Sequence, residues 1–75
     1  MATLRVRVRG MRVRVLLAQK WRSQAWLAGR LGTSQAYLSG MLAGRRMVGG
    51  RLGGRLMRAL GEKDWDKVFE IVEQG

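Results

Sequence analysis

Residues 23 to 46, SQAWLAGRLGTSQAYLSGMLAGRR, constrain this chain more than any other stretch, because two short amphipathic periods stand there with a turn signal between them. Leu27, Ala28 and Leu31 fall at i, i+1 and i+4, one stripe of a 3.6-residue period, and Ser23 is placed to cap the start. Gly32 can take the left-handed conformation that ends a helix without steric cost. Thr33 directly after it can accept from the free amides of a second helix. In that helix Leu38, Met41 and Leu42 form the stripe at i, i+3 and i+4, and Gly44 stops it before Arg45 and Arg46.

The other face of the second helix carries Gln35, Ala36, Ser39, Gly40 and Ala43, all short or amide-bearing. A helix that only needs solvation more usually carries Lys and Glu. A helix that inserts into a groove needs small residues for close approach and an amide able to pair bidentately with adenine. At this point the string SQ-x-x-LA-x-x-LG-x-SQ-x-YLS-x-ML-x-GRR resembles the helix-turn-helix core of the lambda-repressor and Cro-like DNA-binding regulators, the XRE family. The resemblance continues through MRALGEKDW and covers roughly residues 11 to 70.

Composition narrows the function classes. There is no Cys and no His, so disulfides, the common zinc sites and cysteine or histidine catalysis are excluded; no enzyme, cofactor or metal is expected. The longest unbroken apolar runs, Val15 to Ala18 and Ala25 to Ala28, are far below a membrane span, and the basic N-terminus lacks the apolar stretch of a signal peptide, so the expected location is cytoplasmic, with no membrane partner. With 75 residues, 47% of them apolar, the chain supports one small domain whose core is marginal unless helices pack efficiently or chains pair.

Charge is one-sided. Residues 1 to 61 carry 12 Arg and Lys20 with no acid, whereas residues 62 to 75 hold Lys63 and Lys67 against Glu62, Asp64, Asp66, Glu70 and Glu73, for a total of +10. Such a field suits a polyanion and steers encounters with nucleic acid at low salt; lipid headgroups and nonspecific stickiness are the alternatives that charge alone leaves open.

Ahead of the central stretch, TLRVRVRG alternates strictly, with Leu4, Val6 and Val8 on one side and Arg5, Arg7 and Arg9 on the other. A lone strand must pair, either within the monomer, where no second strand is obvious, or with its copy in a second chain. The other reading is a disordered basic arm on phosphates. Residues 1 to 10 are accordingly a basic strand or arm, and residues 11 to 75 the helix-turn-helix domain. Met11 to Val15 keeps the alternation briefly, but the resemblance places the first helix there, with Val13, Leu16 and Leu17 as its contacts. Where that family commonly has a glycine and then an apolar residue before SQ, this chain has Trp21 and Arg22. Trp26 falls on the side of the second helix opposite Leu27 and Leu31, where it acts as a lid on the small core or faces a partner.

From Met47 to Leu60, Val48, Leu52, Leu56 and Leu60 recur every four residues among Gly49, Gly50, Gly53 and Gly54. Interior glycines each cost about 0.5 to 1 kcal/mol against alanine, so this is either a helix with a short or frayed start or a loose linker into a helix from about Arg55. Gly61 reads as a C-cap, and Asp64 as the cap of a last helix, DWDKVFEIVEQ, with Trp65, Val68, Phe69 and Val72 on its apolar face. In the resembling family the corresponding tryptophan docks onto the core and the last helix often contributes to the dimer contact.

The expected fold class is all-α: four to five short helices with a helix-turn-helix core, plus a short N-terminal β segment that pairs between subunits or lies free. The expected function is a homodimeric, sequence-specific double-stranded DNA-binding regulator. Helix 34 to 43 would enter the major groove with Gln35 as main base reader and Ser34, Ala36, Ser39 and Gly40 shaping the fit. Gln24, by analogy with the family, and Thr33, Tyr37, Arg45, Arg46 and Arg51 would hold phosphates, and Arg5, Arg7 and Arg9 would supply arm contacts in an adjacent groove. Two other classes remain: a protein-interaction module, such as an antitoxin with a toxin partner or a phage factor that binds RNA polymerase, and a nonspecific architectural DNA-binding protein.

Overall fold

The computed structural model describes residues 3–74. The chain runs β1 (Thr3–Val8), α1 (Gly10–Gln19), α2 (Gln24–Leu31), α3 (Gln35–Leu42), α4 (Gly50–Leu60), α5 (Trp65–Val68) and β2 (Phe69–Gln74). It is mostly helical with one short two-stranded antiparallel sheet. The helices enclose a core built from Val13 and Leu17 of α1, Leu27, Ala28 and Leu31 of α2, Leu38, Met41 and Leu42 of α3, and Leu56 and Leu60 of α4. These include the apolar stripes expected for the central stretch and, of the stripe expected in α1, Val13 and Leu17, with Leu16 half-buried against the core.

The last helix expected over residues 64 to 73 is not formed. Asp64 does cap a helix, accepting from the Asp66 N–H, but α5 lasts one turn, and Phe69–Gln74 becomes a strand. That strand is the partner of β1, in the register Thr3↔Gln74, Arg5↔Val72, Val6↔Ile71, Arg7↔Glu70 and Val8↔Phe69. The pairing is therefore within the chain, and β1 is not a free arm. The physical reason is that Phe69, Ile71 and Val72 are β-branched or aromatic and fit a pleated surface. The N-terminal segment also offers them a complementary edge, since paired residues share a face and Glu70 thereby meets Arg7.

Only the base of this ribbon enters the core: Val8 and Phe69 are buried, whereas Leu4 and Ile71 near the tip are 70% and 60% exposed. Arg7 is ion-paired to Glu70 Oε1, and Arg9 Nη1 donates to Glu70 Oε2 at 3.0 Å. Arg9 Nε also donates to the carbonyls of Asp66 (2.8 Å) and Phe69 (3.0 Å), which fixes the corner where α5 turns into β2. The hydrogen bond from Arg7 holds the Glu70 carboxyl below its ordinary range, against a smaller opposing effect of desolvation.

Gly10 opens α1 directly after the ribbon, and a Cβ there would lie 1.8 Å from the Leu42 carbonyl oxygen. No side chain fits, so the glycine is what lets α1 start against the end of α3. Four helix ends share one hydrogen-bond pattern, in which two successive N–H groups turn back onto carbonyls of the last turn. Thr33 bonds Ala28 and Gly32 bonds Gly29; Arg45 bonds Gly40 and Gly44 bonds Met41; Glu62 bonds Met57 and Gly61 bonds Arg58. In these three the left-handed position is a glycine, with φ of 70°, 81° and 65°. At the end of α1, Arg22 bonds Leu17 and Trp21 bonds Ala18, and the left-handed residue is Trp21 at φ 56°. It is the one non-glycine with positive φ among the described residues.

The glycine-rich stretch is helical from Gly50, with Gly49 as an N-cap that has no side chain to offer. Val48 precedes the helix, its N–H donating to the Val6 carbonyl at 2.9 Å, so the stripe within α4 is Gly53, Leu56 and Leu60, with Leu52 half-buried. Gly53 is buried against Val48 and the Phe69 ring, which lie 3.3 and 3.4 Å from where a Cβ would be. Trp65 packs tilted against Phe69 with ring centroids 5.3 Å apart.

Three outcomes test this account. Gly10→Ala should lower stability by more than about 2 kcal/mol in denaturant melts, because the obstacle is backbone and cannot rotate away. Trp21→Gly should raise it by about 1 kcal/mol, since a left-handed conformation costs a bulky residue roughly that amount and glycine nothing. Glu70 has its carboxyl pKa depressed in the folded state, so its contribution is complete above the ordinary carboxylate range and disappears as pH falls below it. The melting temperature of the parent chain should therefore fall more steeply on acidification than that of Glu70→Gln, and the two curves should converge at low pH.

Candidate nucleic-acid interface

Two capped helices and one tight turn hold the central stretch. Ser23 accepts from the Trp26 N–H at 3.0 Å at the start of α2, and the left-handed Gly32 ends it. The cap of α3 is Ser34 and not Thr33: Ser34 Oγ accepts from the Tyr37 N–H at 3.0 Å, while the Thr33 hydroxyl donates to the Ser34 carbonyl at 2.8 Å. Gly32 spends its freedom on closing α2, so the extended residue that can present an oxygen to the next helix comes two positions later. With both ends satisfied inside three residues, α2 and α3 are set at a defined angle by local interactions and by Leu27, Leu31, Leu38 and Met41 beneath them.

The outward side of α3 presents Gln35, Ala36, Ser39 and Ala43, all exposed, with Ser34 exposed at the head. Gly40, expected on this side, is buried. A Cβ there would meet the Arg46 side chain at 3.2 to 3.4 Å, because Arg46 folds back along α3 and its guanidinium lies 4.8 Å over the Tyr37 ring. That placement is a correction for Gly40 and a dual role for Arg46, which covers the helix as well as lending charge. Tyr37 and Thr33 are half-buried, Gln24 is half-buried at the head of α2, and Arg45 and Arg51 are exposed. The described face is thus flat, uncharged along its centre and bordered by arginine.

Further cations lie around it. Arg55 of α4 reaches toward the α2–α3 turn, its Nη1 3.9 Å from where a Cβ on Gly32 would sit. Arg22 and Arg30 flank Trp26, with guanidinium carbons 4.8 and 6.0 Å from the ring centroid. Trp26 is half-buried and packs against the core, which agrees with its reading as a lid. The i, i+4 spacing of Arg22, Trp26 and Arg30 was the signal available for that cluster.

Arg5, Arg7 and Arg9 lie on the ribbon, away from a free arm. Arg7 and Arg9 are committed to Glu70 and to the corner carbonyls, and Arg5, opposite Val72, is exposed. Among the described residues the ion pairs are these two, Arg7–Glu70 and Arg9–Glu70. The arginines of α1 to α4 therefore keep their charge available to solvent or to an anionic partner. No described helix is long and apolar enough to cross a membrane. No protein-family model, curated protein or solved structure matches the chain.

Proposed function

We propose that this protein is a sequence-specific double-stranded DNA-binding regulator of the lambda-repressor and Cro-like, XRE kind, acting as a homodimer. The observation that carries the reading is the exposed side of α3: Gln35, Ala36, Ser39 and Ala43 form a narrow, uncharged surface, on a chain whose residues 1 to 61 hold thirteen cations and no acid. Small residues allow the helix backbone to approach base edges, and Gln35 supplies donor and acceptor together for adenine. Arg45 and Arg51, with Gln24 at the head of α2, are placed to meet phosphates on the borders. Chemistry beyond binding is not part of the mechanism, which is occlusion of a site or recruitment to it.

Dimerisation is supported by the ribbon. Among the described residues β2 has no second neighbour strand, and Leu4 and Ile71 stand exposed on the same face. An unpaired edge beside exposed apolar side chains favours a second copy. Two α3 helices related by a two-fold axis would read half-sites about 34 Å apart, one turn of the duplex.

Binding and sedimentation measurements test the proposal. Gln35→Ala should cost on the order of 1 to 3 kcal/mol on the preferred site selected from a random pool, relaxing the preference at one base pair while leaving random-sequence binding nearly unchanged. Arg45→Ala should weaken all sequences alike and flatten the plot of log affinity against log salt by about one phosphate contact. Binding that random competitor DNA removes entirely would point to an architectural protein, and no binding at physiological salt to a protein-interaction module. In sedimentation at tens of micromolar the chain should run as a dimer, and Ile71→Lys should shift it toward monomer.

A further inference from the structure

Trp21 is placed at a cost on two counts. It holds the left-handed position that glycine holds at the ends of α2, α3 and α4, and its side chain is 94% exposed. Neither the strain nor the exposed indole benefits the free chain, and a strained residue kept on the surface points to a partner. The chemistry of that partner is read from the residues next to it in the chain. Lys20 and Arg22 adjoin it in sequence, both exposed, and no other large apolar side chain from residue 16 to 26 is exposed. A protein hot spot normally sits among apolar neighbours that exclude water. An exposed ring whose chain neighbours are cations instead matches the sugar edge of a duplex bordered by phosphates.

Trp21 also stands two residues before Ser23 and three before Gln24, at the end of α2 proposed to meet the DNA backbone. Next to it in the chain, Arg22 has its guanidinium carbon over the Trp26 ring, 4.8 Å from the centroid, so its charge is positioned before any ligand arrives. We infer that Trp21 is a nucleic-acid contact outside the α3 face, its ring packing on deoxyribose and base edges of the duplex that flanks the site read by α3. Arg22 meets the neighbouring phosphate. The inference rests on the DNA-binding reading of α3 and adds to it a contact that extends the footprint.

The test compares the parent, Trp21→Gly and Trp21→Phe on two duplexes, one carrying the selected site with several flanking base pairs and one trimmed to the site. Trp21→Gly should melt about 5 °C higher than the parent and yet bind the flanked duplex about tenfold more weakly. Trp21→Phe, which keeps a flat ring, should retain most of the affinity. On the trimmed duplex the parent and Trp21→Gly should bind alike. Equal binding of the parent and Trp21→Gly to the flanked duplex overturns the inference, and so does an equal loss on both duplexes. If Gln35→Ala still changes sequence preference in those cases, the α3 reading stands and Trp21 belongs to a protein partner. A parent chain that binds no duplex at all overturns both.

Discussion

The pairing of Thr3–Val8 with Phe69–Gln74 joins the two ends of the chain, and the position of α3 depends on it. Val8 and Phe69 bring the base of the ribbon into the core, where Phe69 reaches the space left by Gly53 of α4. Arg9 then fastens the α5–β2 corner, and its own N–H donates to the Val68 carbonyl at 2.7 Å. Gly10 must follow at once, with α1 starting against the carbonyl of Leu42 at the end of α3. Arg7 lies along Gly44, the residue that ends α3 in a left-handed turn, within 3.2 Å of where its Cβ would be. A small domain has little core to spare, and this one uses its termini as part of the frame.

The α2–α3 pair is positioned differently, by short-range chemistry. Ser23 and Ser34 satisfy the first amides of the two helices, and Gly32 turns the chain between them without a long loop. The ribbon fixes where α3 ends, and the caps fix where it begins, so a helix of only eight residues is held at both termini. Isolated helices of that length do not persist in water, which makes the two anchorages a condition for any rigid surface on α3.

These two kinds of constraint explain what was legible in the sequence. The stripes of α2 and α3, the Ser23 cap and the turns at Gly32, Gly44 and Gly61 follow from local periodicity and backbone conformation. All of them can be read within a window of a few residues. The strand β2 cannot. Val68, Phe69 and Val72 fit a helical stripe as well as Phe69 and Ile71 fit an alternation, and the choice is made by β1, more than sixty residues away in the chain. The match of Arg7 with Glu70 was present as complementary charge in two distant segments, a pattern with meaning only once the register is known. Thr33 was misplaced as the cap by one residue, and Gly40 was assigned outward because glycine has no side chain to betray that Arg46 covers it. The Trp21 turn departs from the glycine that the other helix ends use, and only its dihedral angles reveal that the same turn is made.

The ribbon also settles how the charge is distributed. Arg5, Arg7 and Arg9 carry three positive charges, and residues 62 to 75 carry a net of three negative, so the joined ends of the chain balance and the whole +10 resides on residues 10 to 61. Glu70, the acid of β2 that comes near the end of α3 beside Gly44, is matched by Arg7 and Arg9, so a partner near α2 and α3 meets cations that are not ion-paired. Had the C-terminal segment folded as a helix elsewhere on the surface, its carboxylates would not have been matched with β1. By pairing the acidic end with the one basic segment that lies farthest from α3 in the chain, the fold leaves the arginines around the central helices unopposed, and it is their field, within a few ångströms of the surface, that an approaching polyanion meets first.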